Sequence, residues 1–263
     1  MTLLASRIGF AASHAASPVA AMDEIMEQLG EAPLAGLMLF CSHRFDRDPL
    51  ARAINRRSEG VSVIGCTSSG ELTDRGYDED SLSAIAFPTD SFHLASHCFQ
   101  DVDMFDPVAA RDVVRSLVAT ATRDSRSLGE KINQVALFLI DGLSHREELL
   151  TMTIQDALGD IPLIGGSSGD GLAFRETSIF EGGQFHAHGA VVAILSTPRP
   201  LHVFKAQHYR PGAAKMVVTG AIPQDRVVTE INAEPAASEY LRIAGHAGDA
   251  MAAWARRMKQ QQT

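Results

Sequence analysis

Two short stretches carry the residue types that do chemistry. Val63-Ile64-Gly65-Cys66-Thr67-Ser68-Ser69-Gly70-Glu71-Leu72 runs from apolar residues into a glycine, a thiol, three hydroxyls and a second glycine. One hundred residues later Leu163-Ile164-Gly165-Gly166-Ser167-Ser168-Gly169-Asp170-Gly171-Leu172 says nearly the same thing. Gly165 to Gly169 fits G-x-S-x-G, the nucleophile elbow, which would make Ser167 the nucleophile of a serine hydrolase. That elbow needs a strand, a sharp turn and a helix, whereas LAFRETSIF follows here and reads as a strand. A phosphate cradle meets the same obstacle, because its anion sits on a helix N-terminus. The first copy has Cys66 in place of Gly166 and one residue more, so neither motif survives in both. The remaining reading is a ligand pocket at strand ends, with no catalytic residue and no enzyme activity. It would be lined by Gly65, Cys66, Thr67, Ser68, Gly165, Gly166, Ser167, Ser168 and Asp170.

The histidines are the second source of chemistry. His186-Ala187-His188 sets two imidazoles two residues apart, on one face of a strand, which suits a metal if a third ligand joins them. No third ligand is evident in the sequence. Three further histidines end similar apolar stretches: IGFAASH (8–14), FHLASH (92–97) and VFKAQH (203–208). His14, His97 and His208 are therefore expected at matching strand ends, where a duplicated fold can bring two of them to one pocket. Asp141-Gly142 reads as a turn signal with no further role, as does Asp170-Gly171 on backbone grounds.

The elements that must position these residues also repeat. GLMLF (36–40), a helical DPLARAINRRS (48–58) and SVIG (62–65) lead to the first glycine motif. VALFLI (135–140), HREELLTMTIQDALG (145–159) and PLIG (162–165) lead to the second. SPVAAMDEIM and DPVAARDVVR open the two copies with a shared PVAA. Pro18 and Pro107 are 89 apart but Gly65 and Gly165 are 100 apart, so the second copy is about 11 residues longer, with TRDSRSLGEK (122–131) as the natural insertion. SLSAIAF (81–87) follows the first motif; TSIF, an EGG turn and FHAHGAVVAIL follow the second. Helices alternating with strands predict an α/β fold of two duplicated βαβ-containing units, with largely parallel or mixed sheets covered by helices. The repeats are placed at about 7–91 and 92–200, within a first domain over 1–200. STPRP closes the pattern, and 201–263 holds the strands VVTGA and RVVTEI, a helix opening PAASEYLRI and a basic, helix-capable tail.

Composition narrows the function classes. The 263 residues are 45% hydrophobic and 21% charged, which suits a globular protein with a sizeable core. A net charge of −9 argues against nucleic acid or an anionic membrane as partner. No apolar run is long enough to span a bilayer, and MTLLASRIGFAAS is a poor secretory signal. Three cysteines with no CxxC pair suit a reducing compartment. A cytoplasmic location is expected, with self-association left open.

The strings IGCTSSGEL, DGLSHREELL with IPLIGGSSGD, and TSIFEGGQFHAHGAVVAIL together resemble the FIST family (F-box and intracellular signal transduction). The resemblance covers roughly residues 7–220, the family's N-terminal domain, and runs into VVTEINAEPAASEYLRIAG, the opening of its C-terminal domain, which here stops early. It implies a sensor of a small-molecule or gaseous ligand that acts on signalling enzymes. The stand-alone bacterial branch implies bound haem, nitric oxide as the signal, and a partner that is a sensor histidine kinase or a diguanylate cyclase or phosphodiesterase. FKAQHYRP (204–211) is similar to that branch's histidine-containing strand, which makes His208 the expected ligand to haem iron, ahead of His14 and His97. The alternative within the family is a sensor of a small metabolite such as an amino acid.

Overall fold

In a computed structural model the described residues are 7–73, 75–207 and 209–245. They divide into two compact units, before and after Val203. In the first unit the chain runs β1 (Gly9–Ser13), α1 (Pro18–Leu29), β2 (Leu34–Ser42), α2 (Arg47–Arg57), β3 (Ser62–Ser68), β4 (Glu71–Thr73), β5 (Gly76–Asp78) and β6 (Leu82–Pro88). It continues with β7 (His93–Phe99), α3 (Pro107–Asp124), β8 (Asn133–Ile140), α4 (Glu147–Leu158), β9 (Leu163–Ser167), β10 (Ile179–Glu181), β11 (Gln184–His186) and β12 (Ala190–Thr197). This is the α/β fold expected.

Local chemistry sets the helix boundaries. Asp46 and Asp106 accept backbone N–H bonds from Asp48 and Val108 at the starts of α2 and α3, at 3.3 and 2.8 Å. Pro18 and Pro107 occupy first-turn positions, where a missing N–H costs nothing. Most of the extra length of the second repeat goes into α3, which has 18 residues against 12 in α1.

The two sheets have one topology. The first is ordered β1-β6-β2-β3-β10-β11 and the second β7-β12-β8-β9. In each, the two strands flanking the second helix pair in parallel, β2 with β3 and β8 with β9. The returning strand, β6 or β12, inserts antiparallel on both sides into the gap left by the first crossover. The sheets are therefore mixed, as split βαβ units. The β10–β11 hairpin belongs to the second repeat by sequence, yet it extends the first repeat's sheet at β3. On its outer side β9 has no strand partner among the described residues.

Three apolar layers hold this unit together. Met22, Ile25, Leu50 and Ile54 of α1 and α2 pack on the first sheet. Val114, Leu150 and Ile154 of α3 and α4 pack on the second. Met38, Ile64, Leu94, Leu137, Val191 and Ala193 form a third layer in which the sheets face each other. The order is helix, sheet, sheet, helix, so the uninterrupted apolar run VALFLI (135–140) becomes β8, buried on both faces.

The second unit, described by itself, holds β13 (Val218–Ile222), β14 (Val227–Ile231), β15 (Glu234–Pro235) and α5 (Ala236–Ile243). Its strands form an antiparallel sheet, and the strands and helix opening expected from sequence are present. Glu239 accepts bonds from Arg242 and Asn232, and these hold its carboxyl down to about 2. Residues 203–207, expected as a strand, have no regular structure. The basic tail (250–263) lies outside the described residues.

Candidate functional site

The glycine motifs are strands before they are loops. β3 continues to Ser68 and β9 to Ser167, past the glycines expected to end them. Gly65 and Gly165 sit opposite Leu39 and Phe138 on the parallel neighbour. A Cβ there would lie 2.5 Å from the Leu39 carbonyl oxygen and 1.7 Å from that of Phe138. The glycine permits a close backbone approach within the sheet, so it does not mark a turn.

Beyond the strands the motifs fasten to each other. The Gly169 N–H donates to the Thr67 carbonyl at 3.0 Å, and the Thr67 N–H to the Ser178 carbonyl at 3.0 Å. The Ser178 N–H donates back to the Thr67 hydroxyl at 3.1 Å, and the Gly171 N–H to the Ser69 hydroxyl at 3.1 Å. Gly65, Cys66 and Thr67 are all buried. Burial, with Glu71 adding to it, pushes the Cys66 thiol up to about 12, the opposite of an activated cysteine. Ser68 donates to Glu71, a buried carboxylate that also takes the Ser81 N–H and hydroxyl. In the second copy Ser168 is buried, taking the Gly142 N–H and donating to the Ile140 carbonyl. Asp170 accepts the N–H groups of Phe174, Arg175 and Glu176 at 2.9, 2.6 and 3.0 Å. Burial raises its carboxyl, but those three bonds outweigh it and hold it below the usual range.

The residues of the two motifs differ in exposure. Gly165, Gly166 and Ser167 are exposed and line a cavity of about 790 Å³ between β9 and α4. Its other walls include Phe138, Met152, Ile164, Glu147 and Asp156. The matching position beside β3 is taken by β10, whereas β9 has no strand partner there among the described residues. Asp156 is held by Arg111 at 2.8 Å at the cavity wall. Ser167 is the last residue of its strand, no helix follows it before β10, and no histidine lines the cavity.

The histidines are dispersed. His14 lies one residue past β1 and pairs with Asp78 at 3.3 Å. His97 is inside β7 rather than at its end, on the other sheet. Its ring meets Phe99 edge-on at 4.9 Å and lines a hollow of about 360 Å³ against α3. Burial, partly offset by Glu181, lowers its pKa. His208 lies outside the described residues. Nor do His186 and His188 share a face. His188 has a left-handed backbone (φ 52°), which turns its ring toward Asp103 and Asp141 at 3.8 and 3.7 Å.

Asp141, read in sequence as a turn signal, is the residue most underestimated. Buried at 2% exposure, it accepts the N–H groups of Leu143 and His188 at 2.9 and 2.8 Å and the Thr177 hydroxyl. An Asp-Gly pair directly after a fully apolar strand was the available signal, since the strand buries whatever ends it. The His188 ring makes no hydrogen bond to a serine or threonine among the described residues.

A family model described as the FIST N domain matches residues 35–234. No curated protein matches the chain. Among solved structures the chain is similar to a cyanuric acid hydrolase from A. caulinodans, at 11% identity with a TM-score of 0.37, over 72% of this chain and 70% of that one. A likeness at that level carries nothing about chemistry. No helix among the described residues is long and apolar enough to cross a membrane.

Proposed function

The chain belongs to the FIST family, a family of sensor domains in signal transduction, and from that premise we propose that it senses a small amino-acid-like metabolite held between β9 and α4. The observation that carries this reading is the outer edge of β9, without a strand partner among the described residues, along a cavity of about 790 Å³. The outward N–H groups of Gly165 and Ser167 suit a carboxylate, which unpaired strand amides bind readily. Glu147 and Asp156 on α4 suit an ammonium group, and Met152, Ile164 and Phe138 an apolar side chain. Binding there ties the edge strand to α4, favours one conformation of that pair, and changes the surface offered to a signalling partner. The partner class proposed is a sensor histidine kinase or an enzyme of cyclic-di-GMP turnover.

The test is a thermal-shift screen of the twenty amino acids and their simple derivatives. Ser167 is exposed and shares with Phe138 and Ile140 the face of the sheet that α4 covers, so Ser167→Leu narrows the cavity. A metabolite that stabilises the wild type and not Ser167→Leu supports the reading. A stabilisation equal in both, or none with any compound, overturns it.

Haem with nitric oxide is the second reading, favoured by Phe204 and Tyr209, exposed at 77% and 76% on either side of His208. His14 and His97 lie on different sheets and do not share one pocket. One is paired with Asp78 and the other packed in a hollow of about 360 Å³ on a different sheet. This reading therefore rests on His208. A Soret band that shifts with nitric oxide in the wild type and disappears in His208→Ala supports it; equal haem uptake by both proteins overturns it.

A further inference from the structure

Cys98, Glu181 and His186 come from different elements and converge. Cys98 is on β7 of the second sheet, whereas Glu181 and His186 are on the β10–β11 hairpin that extends the first. The thiol sulfur, a carboxylate oxygen and an imidazole nitrogen all lie within 4.8 Å of one another, and all three residues are half-buried. None belongs to the cavity beside β9.

The strands explain the convergence. Side chains alternate along β7, so Leu94, Ser96 and Cys98 point toward the first sheet while His97 and Phe99 point toward α3. The turn Gly182-Gly183 has two left-handed residues (φ 60° and 84°), which glycine supplies at no steric cost in a two-residue hairpin. That turn fixes Glu181 and His186 on one hairpin. Supporting bonds are in place. The Ser96 hydroxyl donates to a Glu181 carboxylate oxygen at 2.8 Å, and His186 Nε2 lies 3.1 Å from the Glu181 carbonyl, which can only accept. Such outer bonds orient the ligands of protein metal sites.

We propose that Cys98, Glu181 and His186 form a binding site for one divalent transition-metal ion of the zinc class, joining the β10–β11 hairpin to β7. A soft sulfur, an imidazole and one carboxylate select zinc, cobalt or nickel over magnesium or calcium, which prefer all-oxygen shells. Ligand bonds of about 2.0 to 2.3 Å put tetrahedral ligands somewhat under 4 Å apart, so side-chain rotation from the present spacing closes the set. The thiol gives up its proton to solvent as the metal–sulfur bond forms, and no redox change is involved. Three protein ligands leave a fourth position to water or an added small ligand.

The test is a cobalt(II) titration of the full-length, metal-stripped protein, with zinc as competitor. A sulfur-to-cobalt charge-transfer band with four-coordinate visible bands is expected at one equivalent, and zinc should remove both. Cys98→Ser should abolish the charge-transfer band, and Glu181→Gln and His186→Ala should each weaken binding at least tenfold. His188→Asn, at a position outside the cluster, should leave the spectrum unchanged. If Cys98→Ser fails to fold by circular dichroism, Glu181→Gln and His186→Ala decide the matter. Absence of the charge-transfer band in the wild type, its persistence in folded Cys98→Ser, or undiminished affinity in both other variants overturns the site.

Discussion

At the scale of single residues, the glycine motifs separate into positions with opposite sensitivities. Gly165→Ala drives a methyl into the Phe138 carbonyl and should cost about 3 kcal/mol, the upper range for overpacking. Gly166→Ala, one residue on, should change stability by no more than about 0.5 kcal/mol. Urea denaturation of both variants checks the contrast, and equal costs would remove the close-approach account. Asp141→Ala strands two backbone N–H groups and the Thr177 hydroxyl, so about 3 kcal/mol should be lost by the same measurement. Acid sensitivity also belongs to residues. Burial depresses the His97 pKa, so the unfolded chain binds that proton more readily. Stability is therefore full above the unfolded histidine value of about 6.5 and falls as pH drops below it. That decline should be reduced in His97→Phe, measured as melting temperature against pH. Asp170 is depressed as well, so its contribution persists to lower pH and is lost only below the unfolded value of about 3.9.

At the scale of elements, the open side of β9 is the feature with consequences. Ile164 is 42% exposed on a strand whose outer edge has no strand partner among the described residues, a template for pairing with another chain. Ile164→Lys should reduce concentration-dependent association measured by light scattering, and unchanged association would clear this edge. Much of the element plan was legible in the sequence. Asp106-Pro107 marked a helix start, VALFLI (135–140) a doubly buried strand, and EGG (181–183) a hairpin. What escaped was set by contacts distant in sequence. Gly65 resembled a loop because its reason, the Leu39 carbonyl, lies 26 residues away on a neighbouring strand. His97 resembled a strand end because nothing local shows that β7 runs on to Phe99. The difference between the two motifs escaped for the same reason: similar stretches differ in exposure because β10 pairs with β3 and no described strand pairs with the outer side of β9.

At the scale of the whole molecule, duplication was readable but interlocking was not. Each repeat supplies a sheet whose inner face is covered by the other, through residues such as Met38 and Ile64 against Leu137 and Val191. A fragment of residues 1–91 should therefore show no cooperative thermal transition, followed by circular dichroism. A cooperatively folding fragment would make the repeats independent units. A further consequence concerns synthesis. The strand that completes the first sheet, β10, pairs at Phe180 with Gly65, 115 residues earlier in the chain. At roughly ten residues per second, the ribosome leaves the rim of β3 uncovered for on the order of ten seconds. Chaperone occupancy should peak in that interval, and translation arrested just short of Glu181 should yield an aggregating nascent chain.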